Sequence, residues 1–419
     1  MSNQASGLVP GRPPRTRRRT PGLSKLSEGT TTSSFDSDHS TPVIAEEDGE
    51  TTAAAAAAAS SRPVAVRGVA AADAKFKEPP PALALPPWDA YFERRYYVPL
   101  SSAVSGDDQD VAQVYEVGSH GPLVVCVHGG GYSALSWALV ARHLKSKEVR
   151  VAAFDLRGHG GTRAADEADL SMERLAADMV SVFNQIVDRH QEQEREGEEP
   201  LKALLVGHSL GGAVAVRAAR TGELRNLCGL VVIDLVEGTA MAALPYMEGL
   251  IKGQPQGFAS VRKGVEWCMT SGQCKNMEAA CISFPPRIVP ANRDSQDDSR
   301  HPGAVARHAY VWRTPLLPTK PFWREWYEGL SQHFLDCKVP KLLLLAGTDR
   351  LDKQLTIAQM QGKFQLCLMP QAGHAIQEDQ PQKVADTLYS FLNRYRLLDG
   401  QTLDLPAVLP RGAATSVWP

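Results

Sequence analysis

The stretch that decides the fold reads LLVGHSLGG over residues 204–212. It is an apolar run, followed by Gly-x-Ser-x-Gly around Ser209 and by a helix-compatible segment up to Arg220. A strand that passes into a helix through this pattern is typical of a nucleophile elbow, a sharp turn that exposes a serine. An ordinary glycine-rich turn shares the short pattern, so its context must decide. We predict that Ser209 is a nucleophile and that the backbone N–H of Leu210, at the helix N-terminus, faces a developing oxyanion.

Short apolar runs alternate with helical patterns on both sides of this stretch. Strands are predicted at 111–117, 123–127, 150–154, 203–206, 230–233, 342–346 and 365–369. Several have almost no polar breaks, as expected for parallel strands covered on both faces. Residues 172–186 carry apolar side chains at three- and four-residue steps, with Ser171 as a plausible N-cap. The pattern predicts an α/β protein of the α/β-hydrolase fold, with a mostly parallel central sheet and helices on both faces.

A second oxyanion donor is expected from another loop. The run at 123–127 is followed by His128 and three glycines, the kind of turn that supplies such a donor in this fold. We predict that Gly130 or Gly131 provides it. A phosphate-cradling loop is the rival interpretation, but no Lys-Ser or Lys-Thr follows the glycines. The later turn DLRGHG at 155–160 is interpreted as structural, because its aspartate lies too early in the chain to be a triad acid.

The base and the acid are sought after the nucleophile, because in this fold the serine comes first and the histidine last. His374 lies between Gly373 and Ala375 after the last predicted strand, and it fits the general base. Two aspartates compete for the acid. Asp349 follows the strand before the histidine, and Asp234 ends the strand before that. Spacing alone favours Asp349, although both positions reach the same edge of the sheet.

The chain divides by composition into a core with appendages. Residues 1–85 are rich in Ser, Thr, Pro and Ala with little to bury, which predicts a disordered N-terminal arm. The core is expected at 86–234 and 340–398, and 399–419 form a C-terminal tail. About a hundred residues separate two core strands, so 235–339 are predicted to form an inserted helical cap, with a flexible loop at about 283–308. Its aromatic residues could line a pocket or pack inside the cap.

Charge and cysteine content exclude several classes of function. A net charge of -2 and a pI near 6.6 give no global field for nucleic acid or a membrane surface. No apolar stretch is long enough to cross a bilayer, and the N-terminus lacks the apolar segment of a signal peptide. The seven cysteines form no CxxC pair, which favours reduced thiols. We expect a cytoplasmic protein, and a basic cluster at residues 12–19 is compatible with a nuclear location as well.

Longer strings resemble one known family, the protein phosphatase methylesterases, over roughly residues 88–396. They are GHSLGG at 207–212, IDLVEGTAM at 233–241, KLLLLAGTDRLD at 341–352, IAQMQGKFQ at 357–365 and AGH at 372–374. In that family the aspartate of the second string is the triad acid, so the resemblance implies Asp234. The chain departs from the family in its long Ala-rich arm and in a 283–308 segment without the acidic run of animal members.

The resemblance implies an activity and a partner. The family removes the methyl ester from the C-terminal leucine of the protein phosphatase 2A catalytic subunit. Here Ser209 would attack the ester carbonyl, His374 would carry the proton and Asp234 would hold the imidazole, chemistry that needs no metal or organic cofactor. A small-molecule esterase or lipase of the same fold is the nearest rival. A catalytically silent phosphatase-binding protein is the rival from another class.

Overall fold

The fold is built on a sheet of eight strands in the order β1-β2-β4-β3-β5-β6-β10-β11. The computed structural model describes residues 85–101, 110–193, 200–291, 308–347 and 351–398. The strands of this sheet are β1 (Arg94–Pro99), β2 (Val111–Val117), β3 (Leu123–Val127), β4 (Arg150–Phe154), β5 (Ala203–His208), β6 (Leu227–Ile233), β10 (Lys341–Leu345) and β11 (Gln365–Leu368). Strand β1 pairs antiparallel with β2, and β2 pairs antiparallel with β4. All other neighbouring strands of this sheet pair in parallel. The predicted mostly parallel sheet is confirmed.

Helices cover both faces of this sheet because its central strands are almost entirely apolar. Every residue of β3, β4, β5 and β10 is buried. The helices are α1 (Ala138–Lys145), α2 (Met172–Gln191), α3 (Leu210–Thr221), α4 (Glu237–Lys252), α5 (Val261–Thr270), α6 (Met277–Ser283), α7 (Trp323–Tyr327), α8 (Leu330–Asp336), α9 (Lys353–Met360), α10 (Ile376–Asp379) and α11 (Pro381–Arg394). Helices α2 and α3 pack on one face, and α1 and α11 pack on the other.

Predicted and observed elements agree best where a strand is buried on both faces. Strands β2, β3 and β4 have the predicted bounds, and Ser171 caps α2 by accepting a hydrogen bond from the backbone N–H of Arg174. Strand β1 was not predicted. It lies at the edge of the sheet and alternates half-buried and exposed residues, so it lacks the apolar run that marks the other strands.

The segment between β6 and β10 contains helices and a second sheet. Helices α4 to α8 lie here with three short antiparallel strands, β7 (Gly257–Phe258), β8 (Ile288–Pro290) and β9 (Tyr310–Trp312), in the order β7-β9-β8. The segment contains the helices that we expected, and the helical cap of the prediction is corrected only by the addition of this small sheet. The division of the chain into arm, core, cap and tail stays a prediction.

The expected flexible loop at 283–308 is wrong for residues 283–290, nearly all of which form regular elements. Ser283 ends α6, Pro285–Arg287 form a 3-10 turn, and β8 pairs with β9. Two features favour regular structure here: proline begins the 3-10 turn, and the side chain of Ile288 is buried. Residues 292–307, the predicted arm up to residue 84 and the tail from residue 399 lie outside the described residues. In the described part of the chain, no helix is long and apolar enough to cross a membrane.

Candidate active site

Ser209 occupies a strained turn between β5 and α3. Its backbone has φ 49° and ψ -124°, a conformation that residues other than glycine rarely adopt. Its N–H donates to the carbonyl oxygen of Ile233 in the neighbouring strand, at 3.0 Å. The flanking glycines are sterically required, because a Cβ on Gly207 would lie 2.4 Å from the Gly211 carbonyl oxygen. The turn has the features of the predicted nucleophile elbow.

The imidazole of His374 pairs with the carboxylate of Asp234. His374 Nδ1 lies 2.8 Å from Asp234 Oδ2, and the side chains are 48% and 0% exposed. Since a carboxylate only accepts, Nδ1 carries the proton and Nε2 is left with a lone pair for proton transfer. Asp234 Oδ1 accepts from the backbone N–H of Ala346 at 3.2 Å, which fixes the carboxylate. This contact involves the aspartate that the family resemblance implied.

The competing acid, Asp349, lies outside the described residues. In this conformation the described residues His374 and Ser209 are not joined by a hydrogen bond between base and nucleophile. Among the described residues, the hydrogen bonds of His374 join it to Asp234 and His208 and do not include Ser209 Oγ. Such catalytic contacts are often long before substrate binds.

Two backbone groups beside Ser209 are candidates for an oxyanion hole. Leu210 begins α3, and the N–H groups of a first helical turn have no partner within the helix. Gly130 lies next to it, since a Cβ on Gly130 would be 3.5 Å from Leu210 Cδ2. The prediction of Gly131 as an oxyanion donor is corrected. Its N–H donates to His159 Nε2 at 2.9 Å, so this N–H is not available to substrate. Gly130 and Leu210 remain as the proposed donors.

Sequence reasoning missed the role of His159. It belongs to the DLRGHG turn that we interpreted as structural, and its ring holds the glycine loop at 128–131 (the oxyanion loop) through the N–H of Gly131. Burial lowers the pKa of His159 to about 4, so the ring is neutral at physiological pH. Its Nδ1 faces the carbonyl oxygen of Arg157 at 2.8 Å, which places the proton there and leaves Nε2 as an acceptor. The pairing spans 28 residues of sequence, and no local pattern announces it.

The aromatic residues of the predicted cap divide into two groups. Trp267 and Trp312 pack with Phe258 and Phe284, with ring centroids 5.3–6.3 Å apart. Trp323 and Trp326 are buried in the main core. Packing therefore accounts for these rings better than a pocket lining. One cap side chain that approaches the glycine loop is Leu316, whose Cδ1 lies 3.2 Å from where a Cβ on Gly131 would be.

The arrangement of these elements is suited to acyl transfer. A strained serine follows β5, an aspartate follows β6, a histidine follows β11, and two backbone donors lie beside the serine. The nucleophile would be activated by a base that a buried carboxylate orients, and the oxyanion would be stabilised by N–H groups already in place.

Comparison with known proteins agrees with this geometry. Residues 124–387 match the model of the Alpha/beta hydrolase family. The chain is 41% identical over 313 residues to the probable protein phosphatase methylesterase 1 of Caenorhabditis elegans, covering 74% of this chain and 78% of that protein. It is 39% identical over 342 residues to protein phosphatase methylesterase 1 of Bos taurus, covering 75% and 87%. The human protein of that name is 38% identical over 342 residues, covering 75% and 86%.

A solved structure gives the same fold at lower identity. E-2-(acetamidomethylene)succinate hydrolase superposes with a TM-score of 0.52 at 20% identity, covering 68% of this chain and 95% of that one. At that level of identity the likeness concerns the fold alone.

Proposed function

The chain belongs to the protein phosphatase methylesterase family of α/β-hydrolases, and we propose that it removes the methyl ester from the C-terminal leucine of the protein phosphatase 2A catalytic subunit. It is a serine esterase by family and fold. The observation that carries the proposal is the Asp234–His374 hydrogen bond, formed beside the strained turn of Ser209 in a chain with methylesterase relatives. The proposed compartment is the cytoplasm, with the nucleus as a second location.

The proposed reaction has two half-reactions. Ser209 Oγ attacks the ester carbonyl carbon while His374 Nε2 takes the hydroxyl proton, and Asp234 holds Nδ1 and stabilises the imidazolium. The carbonyl oxygen becomes an oxyanion that accepts hydrogen bonds from the N–H groups of Gly130 and Leu210. The C–O bond to the methoxy group then breaks, and His374 gives the proton to the departing methanol. Water, deprotonated by His374, attacks the acyl carbon, the bond from that carbon to Ser209 Oγ breaks, and His374 returns the proton to Oγ. The leucine carboxyl group is released and ionises in solution.

The experiment measures methanol release by the purified full-length chain from three substrates. They are methylated phosphatase catalytic subunit, a short peptide ending in leucine methyl ester, and an unrelated small methyl ester. We expect turnover to be fastest on the phosphatase. Equal turnover on all three would identify a general esterase. Phosphatase binding without methanol release from any substrate would identify a silent binding protein.

A matched pair of variants ties the activity to the site. Ser209→Ala should abolish labelling by a fluorophosphonate probe and lower ester hydrolysis by about 10⁶, the loss known for the nucleophile of a triad. Ser390→Ala removes an exposed hydroxyl of α11 and should behave like the parent chain. Undiminished hydrolysis by Ser209→Ala would contradict the serine mechanism.

A further inference from the structure

Arg287 reaches from the cap to the oxyanion loop. It ends the 3-10 turn Pro285–Arg287, and it is only 7% exposed. Its Nε donates to the carbonyl oxygen of Gly131 at 2.8 Å, and its Nη2 donates to Gln273 Oε1 at 2.9 Å. The first of these hydrogen bonds joins residues 156 positions apart in sequence. A cap residue therefore contacts the backbone beside the proposed oxyanion donor Gly130.

The guanidinium has little freedom to leave this position. It lies over the rings of Tyr132, Phe284 and Trp312, with its central carbon 4.5, 5.2 and 5.7 Å from the ring centroids. A planar cation between aromatic faces is held by cation–π attraction, and its fork fixes the direction of each N–H. Burial strengthens the hydrogen bond to Gly131, because the local dielectric is low.

Gly131 is thereby held from both sides. The core histidine His159 accepts from its N–H at 2.9 Å, and Arg287 donates to its C=O. The turn is closed by a hydrogen bond of 3.1 Å from the N–H of Tyr132 to the carbonyl oxygen of Gly129. Gly131 itself has φ +75°, so this loop conformation depends on its contacts and on glycine. The Gly129 carbonyl and the Gly130 N–H belong to the same peptide group. The hydrogen bond from Tyr132 to that carbonyl therefore sets the direction of the Gly130 N–H as well.

We propose that Arg287 is a positioning residue for the oxyanion hole. Through the Gly131 carbonyl it holds the loop so that the Gly130 N–H faces the ester carbonyl oxygen, and it makes transition-state stabilisation depend on the seating of the cap. The inference rests on the proposed esterase function. The proposal is based on the contact of Arg287 with the backbone of the loop. A residue that only held the cap on the core could bind any core side chain, as the cap residue Glu278 binds the core residue Arg142 at 2.6 Å.

Three variants test this role. Arg287→Lys keeps the charge but loses the planar fork, and Gln273→Leu keeps Arg287 but removes one of its anchors. Arg142→Met is the matched control, because it breaks a contact between core helix α1 and cap helix α6 that does not involve the oxyanion loop. Each is assayed on a small activated ester, with rates expressed per active site titrated by a fluorophosphonate. The inhibition constant of a trifluoromethyl ketone, which forms an oxyanion on the serine, is measured in parallel.

We expect Arg287→Lys to lower kcat by about 10²-fold at similar KM, the size of effect that an ångström of misplacement produces. Its trifluoromethyl ketone affinity should fall by a similar factor, and Gln273→Leu should show a smaller loss of the same kind. Arg142→Met should retain kcat and inhibitor affinity. If Arg287→Lys unfolds, Gln273→Leu carries the test.

A purely structural Arg287 would give a different result. Its variants would yield fewer titratable sites, but the remaining sites would keep the parent kcat and inhibitor constant, which would overturn the proposal. Failure of the esterase activity on which this inference rests is distinguishable, since the parent chain itself would then neither hydrolyse the small ester nor be labelled at Ser209.

Discussion

The ring of His208 donates a hydrogen bond to the backbone carbonyl oxygen of His374, with Nε2 2.9 Å from the oxygen. A carbonyl only accepts, so Nε2 carries the proton. Burial lowers the pKa of His208 to about 3, and the neighbouring His374 adds to this shift, so the ring stays neutral at physiological pH. The two rings lie 4.8 Å apart. His208, the first variable residue of the Gly-x-Ser-x-Gly motif, thus anchors the loop that carries the proposed base.

His208→Phe should lower kcat on a small activated ester by roughly 10- to 100-fold, because it keeps a ring but removes the donor that fixes the His374 loop. KM should change little, since neither group is expected to hold the substrate. His208→Gln retains an N–H donor and should recover part of the rate. A Phe variant with parent kcat would show that the loop is positioned without this hydrogen bond.

Gly211→Ala should destabilise the chain by several kcal/mol in urea unfolding, because its Cβ would lie 2.3 Å from the carbonyl oxygen of His128. Helix α3 could accept it only by moving away from β3. Gly249→Ala in α4 is the matched control, since nothing lies within 4 Å of its added Cβ. There alanine should stabilise by about 0.5–1 kcal/mol. Equal behaviour of the two variants would contradict the close approach at the elbow.

The sequence was informative where one segment alone carries the constraint. Strands buried on both faces appear as uninterrupted apolar runs, and the elbow appears as glycines around Ser209. The three strands of the cap have two or three residues each and depend on partners far along the chain, so no local period marks them. The contacts of His159 and Arg287 with Gly131 were unpredictable for the same reason.

The acid could not be decided from spacing because of the sheet order. Strands β6 and β10 are neighbours and parallel, with Ile233 opposite Leu344. The segments that follow these two strands in the chain therefore start at the same edge of the sheet, so the order of strands does not by itself separate Asp234 from Asp349, which lies outside the described residues. The family strings added information because the resemblance implies which aspartate is the acid, the one in 233–241. This string and the one at 341–352 are neighbours in the structure, since a Cβ on Gly238 would lie 3.1 Å from Asp352 Cβ.

Glu378 should make stability depend on pH between about 4 and 7. It lies on α10, 1% exposed, and burial raises its pKa to about 7. Because the folded pKa exceeds the unfolded one, its contribution is fully present below pH 4 and is lost as pH rises through 7, by about 3 kcal/mol. Glu378→Gln should therefore lose less stability than the parent between pH 5 and 8 in urea unfolding. Exposed Glu173→Gln is the control and should follow the parent, whereas a parallel Glu378→Gln profile would contradict the shift.

Asp234→Asn tests the proposed triad acid most directly. The amide should keep the shape of the site, because its oxygen can accept from the Ala346 N–H as Oδ1 does now. That orientation turns the NH₂ group toward His374 Nδ1, where an acceptor is required. The imidazole would then carry its proton on Nε2, which could no longer take the proton of Ser209. We expect kcat to fall by about 10⁴, with little change in stability.

Asp349→Asn is the comparison that decides between the two aspartates, and we expect a milder loss from it. Both variants are assayed on a small activated ester and on methylated phosphatase, so that weakened partner binding is not mistaken for lost chemistry. If Asp234 is the acid, its variant fails on both substrates, because the same proton transfer precedes acylation of Ser209 in each case. A loss by Asp349→Asn confined to the phosphatase would assign that residue to partner contact. A nearly normal Asp234→Asn enzyme beside an inactive Asp349→Asn enzyme would overturn the assignment, and the acid would then follow β10.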